Sequence, residues 1–134
     1  MDIEELKDTF EFFDDWEDKY RFVIDLGKEL PDIAEQDKQD DNLIRGCQSQ
    51  VWLTWERTED GRLHFNLDSD AFIVRGLLAL VLAAYDSRSA KDILAFDAKS
   101  FFQRLGLDQH LSPSRANGLH SIVQKIRTIA SEES

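Results

Sequence analysis

The spacing of hydrophobic residues predicts two helices at the start of the chain. Apolar side chains recur every three or four positions in the first segment, at Ile3, Leu6, Phe10 and Phe13. Asp14 or Asp15 then provides the side-chain cap of a second helix, and Leu30-Pro31 ends it because the residue before a proline avoids helical backbone. The polar stretch 31–41 that follows is predicted to be a loop.

The hydrophobic period then changes from that of a helix to that of a strand. Apolar and polar residues alternate over 51–56 and again over 63–68, and the turn Glu59-Asp60-Gly61 lies between them. Glycine at this turn supplies the positive φ that a hairpin needs. Because two strands alone are marginally stable, we expect a third short strand, and residues 42–45 provide a candidate for it.

The second half of the chain is predicted to be mostly helical. An almost wholly apolar helix follows Ser69 and Asp70, either of which is able to cap it, and continues to Tyr85. Shorter helices fit 90–95 and 99–105, with Gly106 as the stop, and Ser112-Pro113 begins the last helix. The sequence therefore predicts an α+β fold, with a small three-stranded antiparallel sheet packed against helices, in a single domain over 1–134.

The charge of the chain excludes several classes of partner. The 134 residues carry a net charge of −11, so binding to nucleic acid or to an anionic membrane is not expected. Residues 1–41 hold 16 acidic and 5 basic residues, whereas the remainder is balanced. Two interpretations of this acidic part stay open, a pair of solvated helices or a docking surface for a basic partner.

The sequence also indicates where the protein works. The N-terminus lacks the basic start and apolar run of a secretory signal, and the uncharged stretch 76–85 is about half of the roughly 20 residues that a membrane-spanning helix needs. We therefore expect a cytoplasmic protein that does not span a membrane.

Cys47 is the first candidate for chemistry. It is the one cysteine of the chain, so the chain forms no intramolecular disulfide and no zinc or iron–sulfur site from several of its own thiolates. It lies between Gly46 and Gln48 in a predicted loop, where reactive groups concentrate, although a structural role remains open.

The three histidines do not suggest a hydrolase. A cysteine hydrolase needs a histidine base, and no motif links His64, His110 or His120 to Cys47; no two of them have useful spacing for a metal site. A thiol without a base is still able to exchange sulfur with a partner that has activated it.

Three further residues are singled out by their positions. Gly76 lies within the apolar helix, where glycine costs about 1 kcal/mol relative to alanine, so we expect a close packing contact there. Arg115 lies in the first turn of the last helix, where its charge opposes the helix dipole, which predicts a specific partner such as a carboxylate. Asp70 either caps its helix or belongs to a docking surface.

An ordered series of short motifs runs over residues 16–130. The central ones are Gly46-Cys47-Gln48-Ser49-Gln50, Ser69-Asp70-Ala71 and His110-Leu111-Ser112-Pro113-Ser114-Arg115, with Trp16-Glu17-Asp18-Lys19-Tyr20 before them and Asn117-Gly118-Leu119 after them. Each motif is unspecific by itself, whereas the ordered set is specific and resembles the SufE family.

The resemblance implies a function and a set of partners. Proteins of the SufE family accept sulfur from a pyridoxal-phosphate cysteine desulfurase, SufS, hold it as a persulfide on one cysteine, and pass it to the SufBCD scaffold for iron–sulfur cluster assembly; they share the fold of IscU-type scaffolds. The family cysteine falls on Cys47, and Gln48, Asp70 and Arg115 are candidates for contacting the partner.

The resemblance leaves several points open. It implies no cofactor or metal held by this chain, and an accessory sulfurtransferase rather than a free-standing enzyme. A CsdE-type protein serving the desulfurase CsdA, or a module that activates a desulfurase without covalent chemistry, is the alternative. A homodimer is left open.

Overall fold

The computed structural model describes residues 2–44 and 49–134. Its helices and strands, in chain order, are α1 Ile3–Phe12, α2 Trp16–Glu29, β1 Val51–Arg57, β2 Arg62–Ser69, α3 Phe72–Tyr85, β3 Arg88–Ser89, α4 Ala90–Ala95, α5 Ala98–Arg104, α6 Leu107–His110 and α7 Pro113–Glu133. Single 3₁₀ turns at Glu35–Asp37 and Asp40–Asn42 interrupt the predicted loop. The fold is α+β, as the sequence predicts.

Several local start and stop signals operate as predicted. Asp15 is the residue that caps α2, through a hydrogen bond from the Asp18 amide at 2.9 Å. Gly61 in the hairpin and Gly106 after α5 both adopt positive φ, which glycine adopts without steric cost. Ser112 caps α7. These elements depend on neighbouring residues in the sequence, so short-range chemistry is enough to predict them.

The three-stranded antiparallel sheet is confirmed, but its third strand is not the predicted one. The strand order is β1-β2-β3, and β3 pairs with the outer edge of β2. Of the predicted strand at 42–45, Leu43 forms only an isolated bridge to Trp52, and Arg45 lies outside the described residues. Asp86 orders the approach to β3 by accepting a hydrogen bond from the Phe65 amide at 2.7 Å.

The core lies between the sheet and the helices. α3 is the central buried helix, with α2 on it, and α7 packs against α3 and α4. Gly76 of α3 and Gly27 of α2 form the predicted close contact. A Cβ on Gly76 would lie 2.7 Å from the Val23 carbonyl carbon, and one on Gly27 would lie 2.6 Å from the Gly76 nitrogen. Both distances are shorter than a Cβ tolerates, so the two helices are held at backbone contact.

Gly76→Ala is expected to destabilise the fold by about 2–3 kcal/mol, because the methyl group forces two packed backbones apart. The same substitution in an uncrowded helix stabilises by about 1 kcal/mol, so the sign itself is diagnostic. Ala83→Gly, at a half-buried position of the same helix, serves as the control and should cost about 1 kcal/mol. Urea unfolding followed by circular dichroism measures the free energy of unfolding of both variants. A Gly76→Ala variant at least as stable as the parent would contradict the close packing.

Candidate functional site

The structure does not describe the predicted carrier residue itself, but it describes what holds the segment that contains it. Cys47 and Gln48 lie outside the described residues. On either side of them the chain is anchored, because the Ile44 amide donates a hydrogen bond to the Val51 carbonyl at 2.8 Å, and both residues are buried. Residues 45–50 connect these two positions along the chain, and we call them the carrier segment.

Asp70 is the second anchor of the carrier segment. Its Oδ1 accepts a hydrogen bond from the Gln50 amide at 3.1 Å, and its own amide donates to the Gln50 carbonyl at 3.3 Å. The prediction that Ser69 or Asp70 caps α3 is wrong, because Ala71 occupies the cap position and no described side chain caps the helix there. Asp70 is instead an exposed residue whose carboxylate accepts a hydrogen bond from Gln50 of the carrier segment.

Arg115 lies near Ser49 of the same segment. It is half-buried in the first turn of α7 and lines a small cavity of about 30 Å³ together with Ser49 and Val51. This volume exceeds the ~10–15 Å³ that one water molecule needs, so a single small atom or group fits there. The predicted carboxylate partner is not found: within residues 2–44 and 49–134, no acidic side chain forms an ion pair with Arg115.

A buried ionic cluster supports the chain that leads into the carrier segment, and sequence reasoning missed it. Asp68, on β2, is 1% exposed, and its carboxylate accepts hydrogen bonds from the Ile33 amide at 3.1 Å, the Ser69 amide at 2.8 Å and the guanidinium of Arg75. Because the Ile33 amide is one of its donors, this carboxylate holds the start of the 31–44 segment on the end of the sheet.

Arg75 connects the same segment to α2. Its Nε donates to the Gly27 carbonyl at 3.2 Å and its Nη2 to the Leu30 carbonyl at 2.5 Å, while Nη1 lies 3.0 Å from the carboxylate of Asp32. One guanidinium thus adds hydrogen bonds to two carbonyls at the end of α2, where helix carbonyls lack intrahelical amide donors; the Gly27 carbonyl also accepts one from the Leu30 amide at 3.3 Å. Arg75 is the one charged residue in an otherwise apolar helix, and this could have indicated the cluster from the sequence, because charged side chains are rarely buried unpaired.

Lys38 closes the cluster over the outer face of the sheet. Its Nζ lies 3.6 Å from the carboxylate of Asp68 and 5.4 Å from the ring centre of Trp52, which is the cross-strand neighbour of Asp68. The Glu35 carboxylate, which accepts a hydrogen bond from this ammonium, raises the pKa of Lys38, and Asp68 raises it further. Lys38 therefore remains charged and helps to hold 31–44 against the sheet.

The histidines occupy other parts of the structure. His64 Nδ1 is 3.0 Å from the Asp86 carboxylate, His110 stacks on Trp16 with ring centres 4.1 Å apart, and His120 is exposed. Within the described part of the chain, no group of three or more acidic, histidine or cysteine residues is arranged to hold a metal ion. None of the described helices has both the length and the apolar character needed to cross a membrane.

Comparisons with known proteins agree on one family. Residues 4–130 match the model of the SufE Fe–S metabolism associated domain. An uncharacterized SufE-like protein of Rhizobium etli is 48% identical over 128 residues, covering 93% of this chain and 86% of that protein. A second uncharacterized SufE-like protein, of Rhizobium meliloti, is 46% identical over 131 residues, covering 96% and 94%.

A solved structure shares the fold at much lower sequence similarity. The solution structure of a hypothetical protein from Thermus thermophilus superposes with a TM-score of 0.77 at 14% identity, covering 98% of this chain and 94% of that one. At this identity the likeness concerns the fold alone.

Proposed function

Since the chain belongs to the SufE family, whose role is accessory to sulfur transfer in iron–sulfur metabolism and whose members work with cysteine desulfurases, we propose that it carries sulfur on Cys47. The donor is a SufS-like desulfurase, and the acceptor is a SufBCD-like scaffold in the cytoplasm. The pyridoxal phosphate belongs to the donor.

One observation supports this proposal more than any other. The segment that contains the single cysteine is anchored at both ends, by the Ile44–Val51 hydrogen bond and by the pair of bonds between Gln50 and Asp70. Arg115 and the small cavity adjoin its end at Ser49. Reactive groups concentrate on loops that a rigid scaffold positions, which is the arrangement a persulfide carrier needs.

The proposed step is a thiol exchange that needs no oxidant. The Cys47 thiolate attacks the terminal sulfur of the desulfurase persulfide, and a new S–S bond forms as the old one breaks. The desulfurase cysteine leaves as a thiolate and takes up the proton that Cys47 lost. Since an ordinary thiol is only a few per cent ionised near neutral pH, the active site of the partner favours the reaction by stabilising these thiolates.

Mass spectrometry of the intact chain tests the proposal. The chain is incubated with a SufS-type desulfurase and cysteine, and in parallel with a CsdA-type desulfurase. A gain of one or more sulfur atoms on Cys47 is expected, larger with the partner that the chain serves. An unmodified chain that still stimulates the desulfurase would instead favour the non-covalent activating module.

Asp70→Asn and Arg115→Ala are expected to weaken binding to the desulfurase about three- to tenfold, chiefly through faster dissociation and with little change in melting temperature. The asparagine keeps an oxygen that accepts the Gln50 hydrogen bond, so it tests the charge of Asp70 alone. Asp70→Ala removes both the charge and the acceptor oxygen, so it should weaken binding further.

Biolayer interferometry on immobilised desulfurase and thermal unfolding by circular dichroism measure the two quantities. Unchanged dissociation constants for Asp70→Asn and Arg115→Ala would remove both residues from the interface. A fall in melting temperature with unchanged binding would give them a structural role only.

A further inference from the structure

Phe72 is an exposed aromatic residue next to the anchor of the carrier segment. Its side chain is 72% exposed, although it begins the most apolar helix of the protein. In the described part of the chain, Phe12 and Trp55 are the other large hydrophobic side chains left exposed. Phe72 differs from both in its place, two residues after Asp70, which is bonded to Gln50.

The backbone of Phe72 is held rigidly. Its carbonyl oxygen would lie 3.0 Å from a Cβ on Gly27, so the first turn of α3 is packed directly on α2. One helical turn later, Gly76 makes the backbone contact with Val23 described above. A side chain presented from a fixed backbone loses little freedom when it is buried by a partner, which lowers the cost of binding.

The chain just before Phe72 carries negative charge. Asp70, two positions earlier, is exposed and forms no ion pair within the described residues, whereas the exposed carboxylate of Asp32 is paired with Arg75. Aromatic residues are enriched in the buried centre of protein interfaces, and charged groups around them are matched by opposite charge on the partner. The fitting partner surface is an apolar hollow bordered by basic side chains.

We propose that Phe72 is the apolar anchor by which this chain docks on its cysteine desulfurase, filling such a hollow on that enzyme. The inference rests on the proposed function. Cys47 precedes Gln50 by three residues, which span at most about 11 Å. Because Gln50 is bonded to Asp70, an anchor at Phe72 holds the whole carrier segment within reach of the partner's active site.

The test compares Phe72→Ala and Phe72→Leu with Phe12→Ala as the matched control. Phe12 is 79% exposed and is the last residue of α1. It precedes Trp16, the first residue of α2, which lies about 16 Å along that helix from Gly27. Each variant is titrated into a purified SufS-type desulfurase and a CsdA-type desulfurase, and its dissociation constant, its persulfide gain and its own monomer–dimer equilibrium are measured.

For the desulfurase that binds the wild-type chain, Phe72→Ala is expected to raise the dissociation constant about tenfold or more, Phe72→Leu less, and Phe12→Ala not at all. The carrier concentration for half-maximal stimulation rises in parallel, while the saturated rate and the melting temperature stay unchanged. A Phe72→Ala constant within about twofold of the wild type overturns the inference. So does a loss of self-association with unchanged desulfurase binding, which would assign Phe72 to a second copy of the chain. A wild-type chain that never gains sulfur contradicts the proposed function instead.

Discussion

Replacing Cys47 with serine is expected to abolish sulfur acceptance and to reduce stimulation of the desulfurase to its basal rate. A hydroxyl does not form a persulfide, so the exchange has no acceptor atom. The substitution is nearly isosteric and lies in a predicted loop, so the fold should tolerate it. The measurements are the mass of the intact chain after incubation with desulfurase and cysteine, and the rate of sulfide release.

Two controls separate chemistry from docking in this experiment. Cys47→Ala should behave like the serine variant, which shows that the added hydroxyl is not responsible. Both variants should bind the desulfurase with nearly the wild-type dissociation constant, because the docking residues are unchanged. A serine variant that still accelerates removal of the persulfide from the desulfurase would refute the covalent relay.

Asp68→Ala is expected to cause the largest loss of stability, about 3 kcal/mol or more, because it removes the buried carboxylate of a mostly buried guanidinium and leaves it only the largely exposed carboxylate of Asp32. It also removes the acceptor of the Ile33 amide, which then has no side-chain partner at that end of the sheet. Asp68→Asn keeps the volume and one acceptor oxygen but loses the charge, and an intermediate effect is expected. Urea unfolding gives these free energies.

The matched control is Asp60→Asn, which removes a carboxylate from an exposed ion pair with Arg62. Exposed pairs contribute about 0–1 kcal/mol, so this variant should remain close to the parent. Hydrogen exchange adds a local measurement: in Asp68→Ala the Ile33 amide should exchange much faster than in the parent. Parent-like stability and parent-like exchange in that variant would show that the cluster does not hold the 31–44 segment.

Predictions from the sequence succeed here where neighbouring residues decide the structure. The alternation over 51–56 and 63–68 with Gly61 between them specifies the hairpin, and Ser112-Pro113 specifies the start of α7. In each case the deciding interactions join residues only a few positions apart, so pattern and turn chemistry are sufficient. The close packing at Gly76 was also predictable, since glycine inside an apolar helix has few explanations besides close packing.

The candidate site was predicted in part. The pattern of motifs singled out Asp70 and Arg115, and the structure places both near residues 49 and 50, at one end of the carrier segment. The capping role considered for Asp70 is wrong because its carboxylate bonds Gln50, 20 positions earlier in the chain. No local pattern reports a hydrogen bond between two residues so far apart.

The sequence by itself determined the longer helices, the hairpin and the single thiol, because periodicity, caps and residue chemistry act over short distances; it did not predict the short helix α6. Only the tertiary structure decided that Arg88–Ser89 and not 42–45 completes the sheet, and that Asp68, on the polar side of its strand, is buried. Both outcomes depend on which distant segment covers an edge or a face of the sheet. Burial of a charge becomes favourable only once Arg75 and the 31–44 segment bring donors to it, and those donors are assembled by the packing of α2 on α3.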